Sequence, residues 1–302
     1  VPAVPSSPTH ARISDTGILT VLDQVPDPRA RRGVRHRLTV ILPVALSAVC
    51  AGARSFTAIA EWAADAPEDV LTRLDIAGRS PSESTIRRTL ARVDAAVLDQ
   101  VIGVWAWLRT RVVDGRRVIA VDGKTLCGAK DAAGHLTHLL AALDQASGVA
   151  LGQVEVGANT NEIPLITDLL AAFGLTDVVV TADTLHRQRA TAEYIVGRGG
   201  HYVFTVKNNQ RALRNLLNVL PWNEIPVSSS IGERGHGRRE RRTIKATEVA
   251  GGLGFPHAGQ VLQVRRTVTR GGRRSVEVVY LVTSMPMASA APLQVAAWVR
   301  GH

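Results

Sequence analysis

Apolar residues recur along this chain with two different periods, and the change from one to the other divides it. From Leu38 to about Arg111 the spacing is helical. Val40–Ala51 is apolar nearly all round, as in a buried helix, and Phe56–Ala64 follows Ser55, a side chain suited to capping a helix start. Farther on, Ser80-Pro81-Ser82-Glu83-Ser84-Thr85 opens a segment in which Ile86, Leu90 and Val93 keep helical spacing, with Arg87, Arg88 and Arg92 on its more polar side. After Arg116 the period shortens. Val118–Val121 is a β-branched apolar run ending in Asp122-Gly123, which predicts a buried strand stopping at a turn. Asp177–Ala182 is a second such run and ends in Asp183; Tyr202–Val206 is a third.

Between these runs, His135–Asp144 and Val149–Val156 flank Ala146-Ser147-Gly148 and predict a hairpin. Helical spacing returns in Asn161–Phe173, in Gln188–Arg198, which Gly199-Gly200 closes, and in Arg211–Leu220. Three strands able to pair antiparallel, then alternating helices and strands, predict an α/β fold: a mixed sheet with helices on its faces. From Ser228 to about Thr283 the composition is β-like, Arg-rich and punctuated by Gly, with Gln260–Val268 and Ser275–Val282 as paired strands. The expected organisation is a Pro- and Arg-rich extended arm over 1–37, a helical domain over 38–112, an α/β core over 113–227 and a basic β-rich segment over 228–285.

Composition changes this picture mainly through charge. Hydrophobic residues make up 45% of the 302, ample for a core, while aromatics at 4% leave that core to Ala, Val, Leu and Ile. Lys and Arg number 36 against 26 acids, a net charge of +10. The arginines cluster at Arg29, Arg31, Arg32, Arg35 and Arg37, and again at Arg234, Arg238, Arg239, Arg241 and Arg242, a pattern that favours a phosphate backbone as partner. Arg87, Arg88 and Arg92 fit either a helix reading DNA or a helix whose arginines are simply solvated. Cys50 and Cys127 are far apart and give no metal spacing or disulfide framework. The longest apolar run, Val40–Ala53, is short of a membrane span, and the N-terminal residues lack the order of a signal peptide, so a cytoplasmic protein without a membrane partner is expected. Trp62, Trp105 and Trp107 sit in apolar helices and are expected in the core.

Asp122 and Asp183 carry the candidate chemistry. Each follows a run buried on both faces and so stands where a strand leaves the sheet, the edge at which α/β proteins bind ligands. On neighbouring strands, two ionised carboxylates at that edge repel unless a cation lies between them. Hard oxygen ligands at an open site suit Mg²⁺ or Mn²⁺ and in-line phosphoryl displacement. Each aspartate taken singly also fits a plain turn after a strand.

These residues also carry a resemblance. Val121-Asp122-Gly123-Lys124-Thr125-Leu126 resembles the first-aspartate motif of insertion-sequence DDE transposases, in the branch of the H-repeat-associated proteins, and Thr181–Gln188 is similar to the second-aspartate motif. Asn159–Ile163, Tyr202–Gln210 with Lys207-Asn208-Asn209-Gln210, and Ile18–Trp62 match further motifs in order, so the likeness runs from about residue 18 onward. The resemblance implies a ribonuclease H-like core, a β-rich insertion after the fifth strand, and a helical part of the core resuming over 286–302. It implies double-stranded DNA as partner, a homodimer on that DNA, and metals held by Asp122 and Asp183. The mechanism the resemblance implies is attack by water on the phosphodiester at the element end, then attack by the freed 3′-hydroxyl on target DNA. His186, Lys207 and Asn208 are expected close by on DNA, with Arg238, Arg239 and Arg241 contacting it from the insertion.

The third acid of such a site stays open. The resemblance implies a position just past His302, where Val299-Arg300-Gly301-His302 looks like the start of the segment that precedes it. The alternative is Glu240, whose flanking arginines equally suit an ion-pair partner. Three functions follow: a DDE transposase, a DNA-binding remnant unable to cut, or a host nuclease of ribonuclease H-like fold.

Overall fold

The computed structural model describes residues 17–30, 32, 34–76, 78–110, 112, 115–130, 134, 136–157, 162–182, 188–207, 210–235, 237–249 and 253–301. They fall into two compact units, one ending at Arg109 and the other beginning at Thr110. The first is helical: α1 (Ile18–Leu22), α2 (Leu38–Cys50), α3 (Phe56–Asp65), α4 (Glu68–Arg73), α5 (Glu83–Leu90) and α6 (Ala95–Arg109). Its centre is α2, whose Val44 and Ala48 pack with Ile59 and Ala63 of α3 and with Ile86 of α5. The Ser55 hydroxyl accepts from the Ala58 amide at 3.1 Å, the cap that Ser55 promised.

Two local expectations change here. Helix α5 stops at Leu90, so Val93 is not on its face; it packs instead beside Leu22, Leu38 and Leu42. Part of the predicted extended arm folds, because α1 buries Val21 and Leu22, the latter in that same cluster; residues 1–16 lie outside the described residues. Arg29, from the first arginine cluster, is a structural clamp. Its guanidinium donates to the Asp27 carboxylate at 2.8 and 2.9 Å, to the His36 carbonyl at 2.9 Å and to the Thr89 hydroxyl at 3.2 Å. That hydrogen bonding holds the Asp27 carboxyl down at about 2.

Among the described residues the second unit has nine strands and four helices. In chain order they are β1 (Arg117–Lys130), β2 (Leu136–Asp144), β3 (Ala150–Val156), α7 (Glu162–Ala171), β4 (Val178–Ala182), α8 (Gln188–Gly197), β5 (His201–Val206), α9 (Arg211–Asn218), β6 (Val227–Gly235), β7 (Arg238–Glu248), β8 (Gln260–Arg270), β9 (Arg273–Thr283) and α10 (Pro292–Arg300). The sheet order is β3-β2-β1-β4-β5-β9-β8-β7-β6. An antiparallel β1–β3 meander, followed by β4 and β5 parallel to β1 with α7 and α8 in the crossovers, is the ribonuclease H-like arrangement. The turn after β2 forms where Gly148 takes a φ of 70°, with the Asp144 carboxylate accepting from the Ser147 hydroxyl at 2.6 Å.

The basic β-rich segment does not fold apart from this core. β9 pairs antiparallel with β5, and β8, β7 and β6 follow it, so one rank of paired residues crosses the sheet: Gly152, Ala142, Val121, Ala182, Phe204, Val282, Val261, Thr247. β4 is buried at every position, so both faces are covered. On one face α10 sets Val295 and Trp298 against Val118, Val179, Val203, Leu281, Leu262 and Ile244. The α7–α8 pair covers the other, where Tyr202 stacks on Phe204 at 4.6 Å between centroids. Among the described residues no helix is long and apolar enough to cross a membrane.

Gly259 marks the tightest joint of this sheet. A Cβ there would lie 2.9 Å from backbone atoms of Ser284, Met285 and Pro286, which cannot swing aside as a side chain would. Gly259→Ala is expected to lose about 1–3 kcal/mol in urea unfolding, the cost of overpacking. Gly174→Ala, with nothing within 4 Å of its Cβ, is expected to be near neutral.

Candidate active site

Asp122 does not end its strand. β1 continues to Lys130, held on one side by β2, with Asp122 opposite Ala141 and Thr125 opposite His138. The Thr125 hydroxyl and His138 Nδ1 are 2.9 Å apart. The ladder that does end is the parallel one: Val121 pairs with Ala182, the last residue of β4, and beyond that pair no β4 partner for β1 is described. Asp122 is thus the first residue past the mouth of the parallel ladder. Alternation from Val118 and Ala120 puts its side chain on the α10 face of the sheet. It is partly exposed, and among the described residues no Lys or Arg forms an ion pair with it.

Asp183, His186 and Asn208 lie outside the described residues. Their described neighbours are Ala182, paired with Val121, and Lys207, exposed just past the end of β5. β4 and β5 are both parallel to β1, so Asp122, Ala182 and Lys207 share the carboxyl edge of the sheet. Among the described residues no three His, Cys, Asp or Glu side chains converge as a metal cluster.

Glu240 belongs to a different place. It sits on β7, and β4, β5, β9 and β8 lie between that strand and β1. From Thr247, the β7 residue in the rank of Val121, Glu240 is a further ~23 Å along the strand at ~3.3 Å per residue. Its side chain is only 5% exposed and is enclosed by guanidinium groups. Arg266 donates through Nε and Nη2, each at 2.9 Å, Arg242 Nη2 lies at 2.5 Å and Arg238 Nη2 at 4.0 Å. The hydrogen bonds from Arg266 hold the Glu240 carboxyl below the ordinary glutamate range. Arg266, 26 positions away, is brought in by the β7–β8 pairing and carries no signal in the local sequence.

The arginines expected on DNA are placed differently from one another. Arg87 is ion-paired to Glu83 at 2.9 Å, one turn back on α5, and Arg88 donates to the Ser84 carbonyl, so both rest along their own helix. Arg92 is exposed beyond the end of α5. Arg239 and Arg241 are exposed on β7, Arg241 donating to the Ser230 hydroxyl at 3.0 Å, while Arg238 points with Glu240 to the other face.

Comparison with known proteins agrees with the motifs. A family model described as DDE_Tnp_1-associated matches residues 19–106, and one described as a transposase DDE domain matches residues 114–302. The chain is 30% identical over 238 residues to YncI of Escherichia coli strain K12, named as a candidate transposase, covering 76% of this chain and 95% of that one. A protein of the same name in Escherichia coli O157:H7 is longer, and the chain spans 60% of it. YbfD of strain K12, named as an H repeat-associated candidate transposase, is 28% identical over 225 residues, covering 72% of this chain and 88% of the relative.

The Glu240 cluster carries its own test. Glu240→Gln keeps the shape but leaves Arg242 without its counter-charge and Arg266 with Glu277 alone, and it is expected to lower stability by about 1–3 kcal/mol at pH 7. Because the folded carboxyl titrates below its unfolded value, this contribution is complete above ~4.5 and is lost as pH falls through the folded value. The stability gap between parent and variant in unfolding curves should therefore narrow as the pH is lowered from 7 to 3.

Proposed function

The chain belongs to the DDE transposase family, and on that premise we propose that it is a metal-dependent phosphoryl transferase on double-stranded DNA, cutting at the ends of an insertion sequence and joining those ends to target DNA. The observation that carries this reading is the Val121–Ala182 register, which puts the residues directly before Asp122 and Asp183 side by side in a parallel ladder. The open carboxyl edge and the Asp122 carboxylate, unclaimed by any described cation, suit hard-oxygen ligation of Mg²⁺ or Mn²⁺. When bound, such ions supply activation of the attacking oxygen and stabilisation of the leaving oxygen.

Asp122 and Asp183 hold the ions in this proposal. Lys207, with His186 and Asn208, lies along the DNA strand being cut and fixes its phosphate. Glu240 is an internal counter-charge for Arg242 and Arg266 rather than the third catalytic acid, since its carboxylate is already engaged and it is remote along β7. Two chains on paired element ends, as a homodimer on DNA, belong to the same reading.

The test is nicking of a duplex that carries the inverted repeats flanking the coding sequence, with Mn²⁺ or Mg²⁺ added. Site-specific nicking by the parent is expected, with Asp122→Asn slower by at least ~10²-fold, the order lost with a single electrostatic contact to a transition state. Binding of the same duplex by Asp122→Asn in EDTA should be unchanged. Nicking by Asp122→Asn at the parent rate would sink the assignment. Retention of DNA without nicking would favour a remnant, and cleavage of an RNA–DNA hybrid a host nuclease.

A further inference from the structure

The strands β6 to β9 separate their charges by face. Between Val227 and Thr283 the acids are Glu233, Glu240, Glu248 and Glu277. Strand alternation and register put all four on one side: Glu233 is opposite Glu240, Glu277 opposite Arg266, Arg266 opposite Arg242, and Glu248 an even number of residues from Glu240. This is the face that α10 covers, through Ile244, Leu262 and Leu281. A groove of about 290 Å³ remains there beside α10, and the arginines on its rim are already committed: Arg242 and Arg266 to Glu240, Arg300 to Glu233.

The other face holds no acid. Arg234 is directly opposite Arg239, Arg239 opposite Thr269, and Thr269 opposite Arg274. In the next rows on this face come Arg241, opposite Gly232 and Thr267, and Arg265, opposite Thr243 and Val278. Arg234, Arg239, Arg241, Arg265 and Arg274 are all exposed, and among the described residues none of them is in an ion pair. Like charges directly opposite one another destabilise a strand pair. Among the described residues no acid forms an ion pair with Arg234 or Arg239, which leaves this pairing open to a counter-charge from a partner.

We propose that this acid-free face of β6–β9, carried by Arg234, Arg239, Arg241, Arg265 and Arg274, is a seat for the phosphate backbone of duplex DNA. The inference rests on the transposase reading for its choice of DNA and adds which face and which residues touch it. Four strands at ~4.8 Å spacing make a face about 15 Å wide, too broad to enter a major groove of ~12 Å, so it lies across phosphates and reads no sequence. Thr267 and Thr269 between the arginine rows add hydroxyl donors to phosphate oxygens. Arg238, Arg270 and Arg273, although close in sequence, belong to the α10 face and take no part.

The experiment compares two double variants of the full chain that remove the same charge. Arg239→Gln with Arg274→Gln clears the proposed face; Arg270→Gln with Arg273→Gln clears the other. Affinity for a random-sequence duplex of about 30 base pairs is measured by fluorescence anisotropy in EDTA, over a series of salt concentrations, with thermal melts to verify folding. The first double is expected to bind roughly 10- to 30-fold more weakly near 0.15 M salt, and its plot of log K against log salt to be shallower by about 2. The second should follow the parent. Equal losses in both doubles, no loss in either, or tighter binding of an RNA duplex of the same length would overturn the proposal. Because no cleavage is read, a chain that never nicks DNA yet shows the face-selective loss would fail the transposase reading and keep this one, while nicking with no face-selective loss would do the reverse.

Discussion

The parallel pairing of β1 with β4 is the constraint on which the rest of the second unit depends. It begins at Arg117 opposite Val178 and ends at Val121 opposite Ala182, so it fixes both where the sheet's carboxyl edge falls and which side chains reach it. Every residue of β4 is buried, and a slip of one position would turn Val179 and Thr181 to the other face while moving the edge. The α10 packing on Val118, Val179 and Val203 resists that slip, because those three share one face only in the observed register. The candidate chemistry at Asp122 is therefore held by ordinary apolar packing two and four residues away from it.

Much of this was legible. Val118–Val121, Val178–Ala182 and Tyr202–Val206 advertise themselves because strands covered on both faces must be apolar throughout. The end of β1 was not legible. Asp122-Gly123 has the composition of a turn, and the strand survives it only because β2, a remote partner, continues to pair as far as Thr125 and beyond. β6 and β7 were hidden for a related reason. Their outer halves project past the helices, so neither face needs to be apolar, and the alternation that signals a strand is replaced by arginine, serine and glycine. Glu240 shows the same limit within the candidate site. Its sequence neighbours Arg239 and Arg241 look like its partners, yet alternation turns them away, and the carboxylate meets Arg242 and Arg266 instead. A charge cluster read along the chain mixes two faces that the strand separates.

The two units also differ in what their arginines do. In the helical unit Arg29 is consumed by the fold, binding Asp27, His36 and Thr89 together, and Arg87 answers Glu83. An arginine that is 12% exposed and makes four hydrogen bonds through its five N–H donors has little left for a phosphate. A net charge of +10 is thus a poor guide by itself to where nucleic acid would lie. The informative quantity is the charge left after internal pairing, and among the described residues of β6–β9 it is larger on the acid-free side, where Arg234, Arg239, Arg241, Arg265 and Arg274 stand against Arg270 and Arg273 on the other.

That side is opposite α10, whereas Asp122 projects toward α10, and one cluster under α10 runs from Val118 of β1 to Ile244 of β7, so the two lie on opposite faces. What they share is direction along the strands. β7 runs from Thr247 toward Arg239 on the side of the rank to which β4 and β5 point their carboxyl ends, reaching ~26 Å past it. The cationic extension and the edge bearing Asp122 therefore overhang the same end of the sheet, so the separation between them is set by strand register rather than by the helices that close the core.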